Sequence, residues 1–287
     1  MSCQILKGAP AAAALDENTI IEVQRLKAAG VEPCLAIVRV GEKENDLAYE
    51  RGALKRCAKT GIAVRQVILP ENAAQADLID RIRNLNADPG VHGILLFRPL
   101  PKTFDEAEVC RVLAPQKDVD GITAGSQAKM FSGSGDGFAP CTAQSCMELL
   151  KYYGIKTAGK RVVVVGRSLV IGRPAAMLLL QADATVTMCH TKTLNLPETI
   201  RAADIVIAAA GKAEILSGDC FRDGQIVLDV GVNWSERRQK LVGDVDEEAA
   251  APLVEALTPV PGGVGAVTTA VLASHVAEAA RRQSVKK

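Results

Sequence analysis

Short apolar runs alternate with amphipathic segments along most of the chain. The apolar runs predict buried strands at residues 34–40, 64–69, 93–97, 162–165, 185–188, 205–209 and 226–230. Apolar positions with helical spacing predict helices at 15–29, 46–60, 75–86, 142–153, 174–180 and 269–282. Gly61 follows the second of these helices and is a typical C-terminal signal. Residues 115–140 are rich in Gly and Ser, which predicts a looser segment joining two lobes.

This alternation predicts an α/β fold. Strands separated by helices form parallel sheets with helices on both faces. Because one series ends before residue 115 and a second begins near 160, we expect two α/β lobes with a cleft between them. Ligands usually bind in such a cleft.

Composition narrows the class of protein. The chain has 287 residues, of which 48% are hydrophobic and 23% charged, as in globular proteins. A net charge of +1 argues against a general nucleic-acid binder. No apolar run approaches the roughly 20 residues that span a bilayer, and the first residues lack a signal-peptide pattern. Eight scattered cysteines without a Cys-x-x-Cys pair indicate reduced thiols rather than disulfides or a metal site. We therefore expect a cytoplasmic protein without a membrane partner.

A glycine-rich loop follows the apolar strand at 162–165. It has the spacing Gly166-x-Ser168-x-x-x-Gly172-x-Pro174 and leads into a helical pattern. A helix that begins after such a loop presents free backbone N–H groups and a positive dipole end, which bind phosphate. The spacing differs from the common Gly-x-Gly-x-x-Gly dinucleotide motif and is more selective. It predicts a Rossmann-like nucleotide-binding domain in the second lobe.

Many motifs, in order along the chain, resemble the bifunctional methylenetetrahydrofolate dehydrogenase/methenyltetrahydrofolate cyclohydrolase family. They are Leu85-Asn86-x-Asp88, Val91-His92-Gly93-Ile94-Leu95, Pro99-Leu100-Pro101, Lys117-Asp118-Val119-Asp120-Gly121, Pro140-Cys141-Thr142, the loop at 166–174, Ala184-Thr185-Val186-Thr187, Cys189-His190, Ala203-Asp204-Ile205-Val206, Asp229-Val230-Gly231, Val242-Gly243-Asp244-Val245 and Thr258-Pro259-Val260-Pro261-Gly262-Gly263-Val264-Gly265. So many ordered matches identify the chain as a member of this family.

The resemblance implies a homodimeric enzyme of one-carbon metabolism. Residues 1–141 with 269–287 would form the folate-binding catalytic domain, and 142–268 the Rossmann-like NADP-binding domain. The family oxidises 5,10-methylenetetrahydrofolate to the 5,10-methenyl cation with a nicotinamide cofactor. It then hydrolyses that cation to 10-formyltetrahydrofolate in the same pocket. The cofactor performs the redox step, and the protein mainly orients the reactants.

The resemblance also implies site residues. Tyr49 and Asp120 match catalytic and folate-binding positions, and Pro261, Gly262 and Gly263 match a turn that closes over the folate and the cofactor. The implied cofactor-binding residues are Gly166, Arg167, Ser168, Gly172, Pro174, Thr191, Gly211 and Val232, the last two beside the nicotinamide.

NADP is preferred over NAD. Arg167 matches the residue that meets the 2′-phosphate of NADP, and Thr191 lies where the family often has a Ser near that phosphate. No acidic residue follows the strand at 185–188, where an NAD enzyme commonly binds the ribose hydroxyls.

Two positions that form a hydrogen-bonded catalytic pair in the family have different residues in this chain. The family carries a Lys four residues after the Tyr and a Gln that hydrogen-bonds it, but this chain has Ala53 and Phe97 there. Lys55 lies six residues after Tyr49, roughly 240° around the helix, so it does not replace the missing amine. Removing both polar partners avoids the cost, about 1–3 kcal/mol, of leaving one unpaired. We therefore expect dehydrogenase activity with cyclohydrolase activity lost or weak.

Two other interpretations stay open at this point. A group outside the family pattern could replace the lysine and keep the enzyme bifunctional. Alternatively, the chain could be a paralogue that binds folate and nucleotide without turnover, or that acts on a different one-carbon adduct. Arg98 replaces a family Leu and stays protonated, which makes it a poor general base. Asp46 replaces a family Ser. His92, His190, His275, Cys141 and Cys189 are expected to have structural roles.

Overall fold

The computed structural model describes residues 3–285. The strands are β1 (Gln4–Ile5), β2 (Cys34–Val40), β3 (Ala63–Leu69), β4 (Gly93–Leu96), β5 (Arg161–Val165), β6 (Thr185–Cys189), β7 (Ile205–Ala208), β8 (Ile226–Asp229), β9 (Asn233–Ser235), β10 (Lys240–Val242) and β11 (Ala256–Leu257). The helices are α1 (Gly8–Ala28), α2 (Glu44–Thr60), α3 (Gln75–Ala87), α4 (Glu106–Val112), α5 (Ala124–Ser132), α6 (Cys141–Tyr152), α7 (Gly172–Gln181), α8 (Leu196–Arg201), α9 (Glu247–Ala250) and α10 (Thr268–Val285). Every predicted strand and helix is present, and this confirms the α/β class. The bounds differ by a few residues at most, except that α1 begins seven residues before the predicted start at residue 15.

The described chain forms two compact units. Residues 13–141 with 269–285 make a three-stranded unit, and residues 3–12 with 142–268 make a six-stranded unit. The predicted domains differ in one respect, because they assign 1–141 to a single domain. In the structure, residues 3–12 instead pack with the six-stranded unit, since β1 pairs in parallel with β11. A two-residue strand gives no apolar pattern from which this pairing could be predicted.

The three-stranded unit is built on a parallel sheet in the order β3-β2-β4. Its central strand β2 is buried at every position, which accounts for its almost uninterrupted apolar sequence. The core beside it includes Val38, Ile82 and Ile94, all less than 2% exposed. The left-handed backbone of Gly61, with φ at 77°, ends α2 as predicted.

The six-stranded unit contains a parallel sheet in the order β1-β11-β8-β7-β5-β6. The chain runs from β5 outward to β6 and then returns to the other side of β5 as β7. A reversal of this kind is the switch point at which open α/β sheets bind ligands beyond the carboxyl ends of their strands. The glycine loop at 166–172 follows β5 at this point.

The segment 115–140 is the clearest error among the predicted elements. It belongs to the three-stranded unit and contains α5, so it is not a loose connection between lobes. The buried Asp118 carboxylate organises it by accepting hydrogen bonds from the backbone N–H groups of Ile122 (3.0 Å) and Thr123 (2.7 Å). The Thr123 hydroxyl then accepts from Ser126 N–H and begins α5. The antiparallel β9-β10 hairpin was also not predicted, since each of its strands has three residues.

Among residues 3–285, no helix combines the length and apolarity that crossing a membrane requires.

Candidate functional site

The carboxyl edge of the three-stranded sheet brings Tyr49, Phe97 and Asp120 onto neighbouring elements. Tyr49 lies on α2, which follows β2, and Phe97 comes directly after β4. A parallel bridge joins Ile94 of β4 to Asp118, so Asp120 continues along the same edge. The rings of Tyr49 and Phe97 make an edge-to-face contact, with centroids 5.9 Å apart at 80°. Three separate chain segments therefore place Tyr49, Phe97 and Asp120 along one sheet edge, with the first two in direct contact.

Two small or apolar side chains occupy the positions of the family's lysine and glutamine. Ala53 lies one turn after Tyr49 on α2 and has no exposed surface, and Phe97 is 8% exposed. Lys55 is exposed on another face of the helix, in accord with the angle calculated from its spacing. Neither position offers a group that could carry a proton to or from a substrate.

Arg98 is engaged in an ion pair. Its guanidinium donates to the Glu106 carboxylate at 3.0 Å, and the same carboxylate accepts the Leu100 N–H at 3.0 Å. This pairing fixes the turn after β4 and gives the Arg98 charge a partner within its own unit. Asp46, in the first turn of α2, has its carboxyl pKa raised by burial. Nothing in the structure explains why an acid replaces the family Ser at this position.

Asp120 is half-buried, and its Oδ1 accepts the backbone N–H of Cys141 at 3.3 Å. Desolvation raises the pKa of its carboxyl above the ordinary aspartate value, with the neighbouring Asp118 charge adding to the effect. Beside it the Cys141 thiol donates to the Val119 carbonyl, which also lies 2.9 Å from His275 Nδ1. Asp120 is thus bonded to Cys141, whose thiol shares the Val119 carbonyl oxygen with His275.

The three histidines and the two motif cysteines have the structural surroundings that we predicted. His92 Nδ1 accepts Cys34 N–H at 3.3 Å, and His190 Nδ1 accepts Lys192 N–H at 3.1 Å. Cys141 and Cys189 are buried and free, as are four of the other six cysteines, while Cys3 and Cys110 are partly buried.

His275 makes stability depend on pH. Burial lowers its pKa from 6.5 to about 4, so it folds as a neutral ring. Above pH 6.5 the His275 imidazole is neutral in both the folded and the unfolded chain, so folding costs nothing for this group. As the pH falls from 6.5 towards 4, the unfolded chain takes up a proton that the folded protein does not, and stability is lost. We expect this residue to account for about 3 kcal/mol of unfolding free energy lost between pH 7 and pH 4. Urea unfolding at a series of pH values should show a correspondingly flatter profile in His275→Gln. Equal slopes in the variant and the parent would contradict the assignment.

A buried charged pair, not predicted from the sequence, joins β2 to α2. Arg39 at the end of β2 donates to Glu50 on α2 at 2.7 Å, and both side chains are at least 93% buried. Gln66 on β3 donates to the other Glu50 oxygen. The signal was present in the sequence, because Arg39 interrupts an otherwise apolar strand. This network attaches the helix that carries Tyr49 to the sheet.

In the six-stranded unit, the loop after β5 has no room for side chains at two positions. A Cβ on Gly166 would lie 2.0 Å from the Ala209 carbonyl oxygen, and a Cβ on Gly172 would lie 2.2 Å from the Gly166 carbonyl oxygen. Gly166 also has a φ of 131°, which L side chains rarely adopt. The Ser168 hydroxyl accepts Ile171 N–H at 3.1 Å, and Pro174 lies in the first turn of α7. The loop therefore delivers the start of α7 to the carboxyl end of β5, where its N–H groups can hold a phosphate.

The other predicted cofactor residues follow the neighbouring strands of the same sheet. Arg167 is exposed beside the loop, and its carbonyl oxygen accepts Arg173 Nε–H at 3.1 Å. Thr191 is exposed after β6. Gly211 follows β7 with a φ of 69°, and Val232 follows β8 with 58% of its surface exposed. All eight predicted cofactor residues thus lie in loops beyond the carboxyl ends of β5 to β8 or in the first turn of α7.

The predicted substrate residues are divided between the units. Tyr49 and Asp120 lie in the three-stranded unit, whereas Pro261, Gly262 and Gly263 form a turn after β11 in the six-stranded unit. The Gly262 carbonyl oxygen accepts Gly8 N–H at 2.8 Å, and Gly263 is held close to the Pro259 carbonyl oxygen.

Family models match most of the chain. Residues 6–120 match the tetrahydrofolate dehydrogenase/cyclohydrolase catalytic domain, and residues 140–284 match the NAD(P)-binding domain of the same family. A relative named "Bifunctional protein FolD" from Alkaliphilus oremlandii is 46% identical over 97% of this chain and 98% of its own length. A protein of the same name from Clostridioides difficile is 46% identical over 99% of this chain and 98% of its own length.

Solved structures agree with these matches. The bifunctional methylenetetrahydrofolate dehydrogenase/cyclohydrolase from Campylobacter jejuni has a TM-score of 0.94 at 39% identity, covering 98% of this chain and 99% of its own. The Trypanosoma brucei methylenetetrahydrofolate dehydrogenase-cyclohydrolase, solved with NADP and an inhibitor, has a TM-score of 0.91 at 33% identity over the full length of both chains. With both halves matched in order, the chain belongs to the tetrahydrofolate dehydrogenase/cyclohydrolase family.

Proposed function

We propose that this protein is an NADP-dependent 5,10-methylenetetrahydrofolate dehydrogenase in which cyclohydrolase activity is lost or weak. The proposed loss of cyclohydrolase activity rests on the two buried apolar side chains near Tyr49, Ala53 and Phe97. Hydration of the methenyl cation needs a group that activates water and moves protons. Hydride transfer depends chiefly on orientation, so it tolerates this pair.

Tyr49 and Asp120 are assigned to the folate in this proposal. The half-buried Asp120 carboxyl can hold a hydrogen bond to the pterin, and burial raises its pKa above the ordinary aspartate value. The Tyr49 ring, packed edge-to-face on Phe97, offers a flat surface and a hydroxyl. The turn at Pro261, Gly262 and Gly263 is assigned to the folate and the nicotinamide.

The assignment of NADP as the cofactor is supported by residues in the loops after β5 and β6 that fit a dinucleotide. Gly166, Ser168, Gly172 and Pro174 would receive the pyrophosphate at the start of α7, and exposed Arg167 and Thr191 would receive the 2′-phosphate. When bound, NADP accepts the hydride that the methylene bridge loses. The family match to an NAD(P)-binding domain and the NADP complex of the Trypanosoma relative support this choice.

A second candidate is the conventional bifunctional enzyme, which yields 10-formyltetrahydrofolate. The names of the relatives, 46% identical over nearly the whole chain, favour it over the loss of cyclohydrolase activity. It requires some group other than a side chain at position 53 or 97 to activate water. The cytoplasmic location and the homodimer stay predictions.

A spectrophotometric assay separates the candidates. The protein is mixed with 5,10-methylenetetrahydrofolate and NADP, and the NADPH and methenyl absorbances are followed separately. We expect NADPH to form while the methenyl product decays no faster than in buffer. Rapid enzyme-dependent decay of that product would establish the bifunctional enzyme. Absence of turnover with both NADP and NAD would favour a non-catalytic or altered-substrate paralogue.

A further inference from the structure

Asp244 carries a fully buried carboxylate that collects four hydrogen bonds in the six-stranded unit. Its Oδ2 accepts the backbone N–H groups of Ala210 (2.5 Å) and Gly211 (2.9 Å). Its Oδ1 accepts Lys212 N–H (2.9 Å) and the Asn233 side-chain amide (2.9 Å). One side chain therefore fixes the loop after β7 and the first residue of β9.

Only a carboxylate satisfies this arrangement. Four donors converge on two oxygens, and charge-assisted bonds of this kind are stronger than neutral ones. An asparagine would present one oxygen and direct its own NH2 group at N–H donors, so at least one buried donor would lose its partner.

Asp244 is itself held in place by a second buried aspartate. Asp229 Oδ1 accepts Asp244 N–H at 3.0 Å, and its Oδ2 accepts Val245 N–H at 2.8 Å. Gly243 permits the approach, since a Cβ there would lie 1.8 Å from Asp229 Oδ2. The end of β8 thereby sets the position from which the Asp244 carboxylate reaches the loop.

The segments fixed by Asp244 include both residues assigned to the nicotinamide half of the cofactor. Gly211 is one of the three backbone donors, and Val232 immediately precedes Asn233. Both are exposed, so they have little packing of their own to define their position. We propose that Asp244 is a positioning residue for cofactor binding, holding Gly211 and Val232 in place for the nicotinamide half. The proposal rests on the NADP binding of the proposed function.

Two ligands separate this role from a general structural one. NADP uses both halves of the site, whereas adenosine 2′,5′-bisphosphate uses only the half around the loop after β5. For Asp244→Asn we expect the Kd for NADP to rise about tenfold, with the Kd for adenosine 2′,5′-bisphosphate within about twofold of the parent value. Amide hydrogen exchange at residues 210–212 should become faster. Asp246→Asn makes the same charge change two residues further on. The Asp246 carboxylate pairs with Arg238 and makes none of the hydrogen bonds to residues 210–212, so this variant should leave both Kd values unchanged.

Equal losses for both ligands, or unchanged NADP binding, would overturn the proposal. Should Asp244→Asn fail to fold, Asn233→Ala decides the question, because it removes one of the four bonds and leaves the carboxylate in place. An NADP Kd in Asn233→Ala equal to that of the parent would then reject the role. Turnover of the parent protein with the folate is measured separately, so a failure of the dehydrogenase assignment is distinguishable from a failure of this one.

Discussion

The double variant Ala53→Lys/Phe97→Gln is expected to gain cyclohydrolase activity. Lysine at 53 would lie one turn from Tyr49 on the same face of α2, and glutamine at 97 would follow β4, where Phe97 now contacts the Tyr49 ring. A positioned acid–base group contributes roughly 10²–10⁴-fold to such steps. We expect hydrolysis of 5,10-methenyltetrahydrofolate to rise at least about 10²-fold over the parent, measured as loss of the methenyl absorbance.

The single variants are the matched controls. Ala53→Lys alone introduces a buried ammonium without its amide partner, and Phe97→Gln alone leaves a buried amide unpaired; each should hydrolyse the cation far less than the double variant. Dehydrogenase turnover of the double variant shows that the pocket still binds folate. A parent protein that already hydrolyses the cation as fast as the double variant would reject the role given to these two positions.

How much of this site could be predicted from the sequence differs between its two halves. The loop assigned to the cofactor follows from strong local signals: an apolar strand, then Gly166 and Gly172, where an added Cβ would lie within 2.2 Å of a backbone oxygen. Such close backbone approaches leave a clear trace, because no other residue type fits.

The residues and elements that support the site could not be predicted, because they depend on contacts that leave no local sequence pattern. Asp244 acts on residues more than thirty positions earlier in the chain, and no local periodicity reports such contacts. The helix α5 was missed because its start depends on Asp118 and Thr123, two polar residues in a segment whose Gly and Ser content is typical of loops. Pairing of β1 with β11 depended on a distant strand of two residues.

The buried pair of Arg39 and Glu50 supports a second large expected effect. Removing one partner leaves an uncompensated charge at a site where both side chains are at most 7% exposed. We expect Arg39→Met or Glu50→Leu to lower the unfolding free energy by about 3–5 kcal/mol in urea titrations followed by circular dichroism. The exposed pair of Arg51 and Glu44 on the same helix is the control, and Arg51→Ala should cost less than about 1 kcal/mol.

The double variant Arg39→Met/Glu50→Leu distinguishes loss of a pair from loss of packing. With both charges gone, the desolvation cost of the pair is removed as well, so the double variant should be more stable than either single variant. Gln66 would lose its acceptor on Glu50, but it lies on an exposed part of β3 and can reach water. Because Glu50 follows Tyr49 on α2, each single variant should also raise the KM for the folate, and the double variant should recover much of that loss. Single-variant costs that simply add in the double variant would show that the two charges stabilise the helix independently.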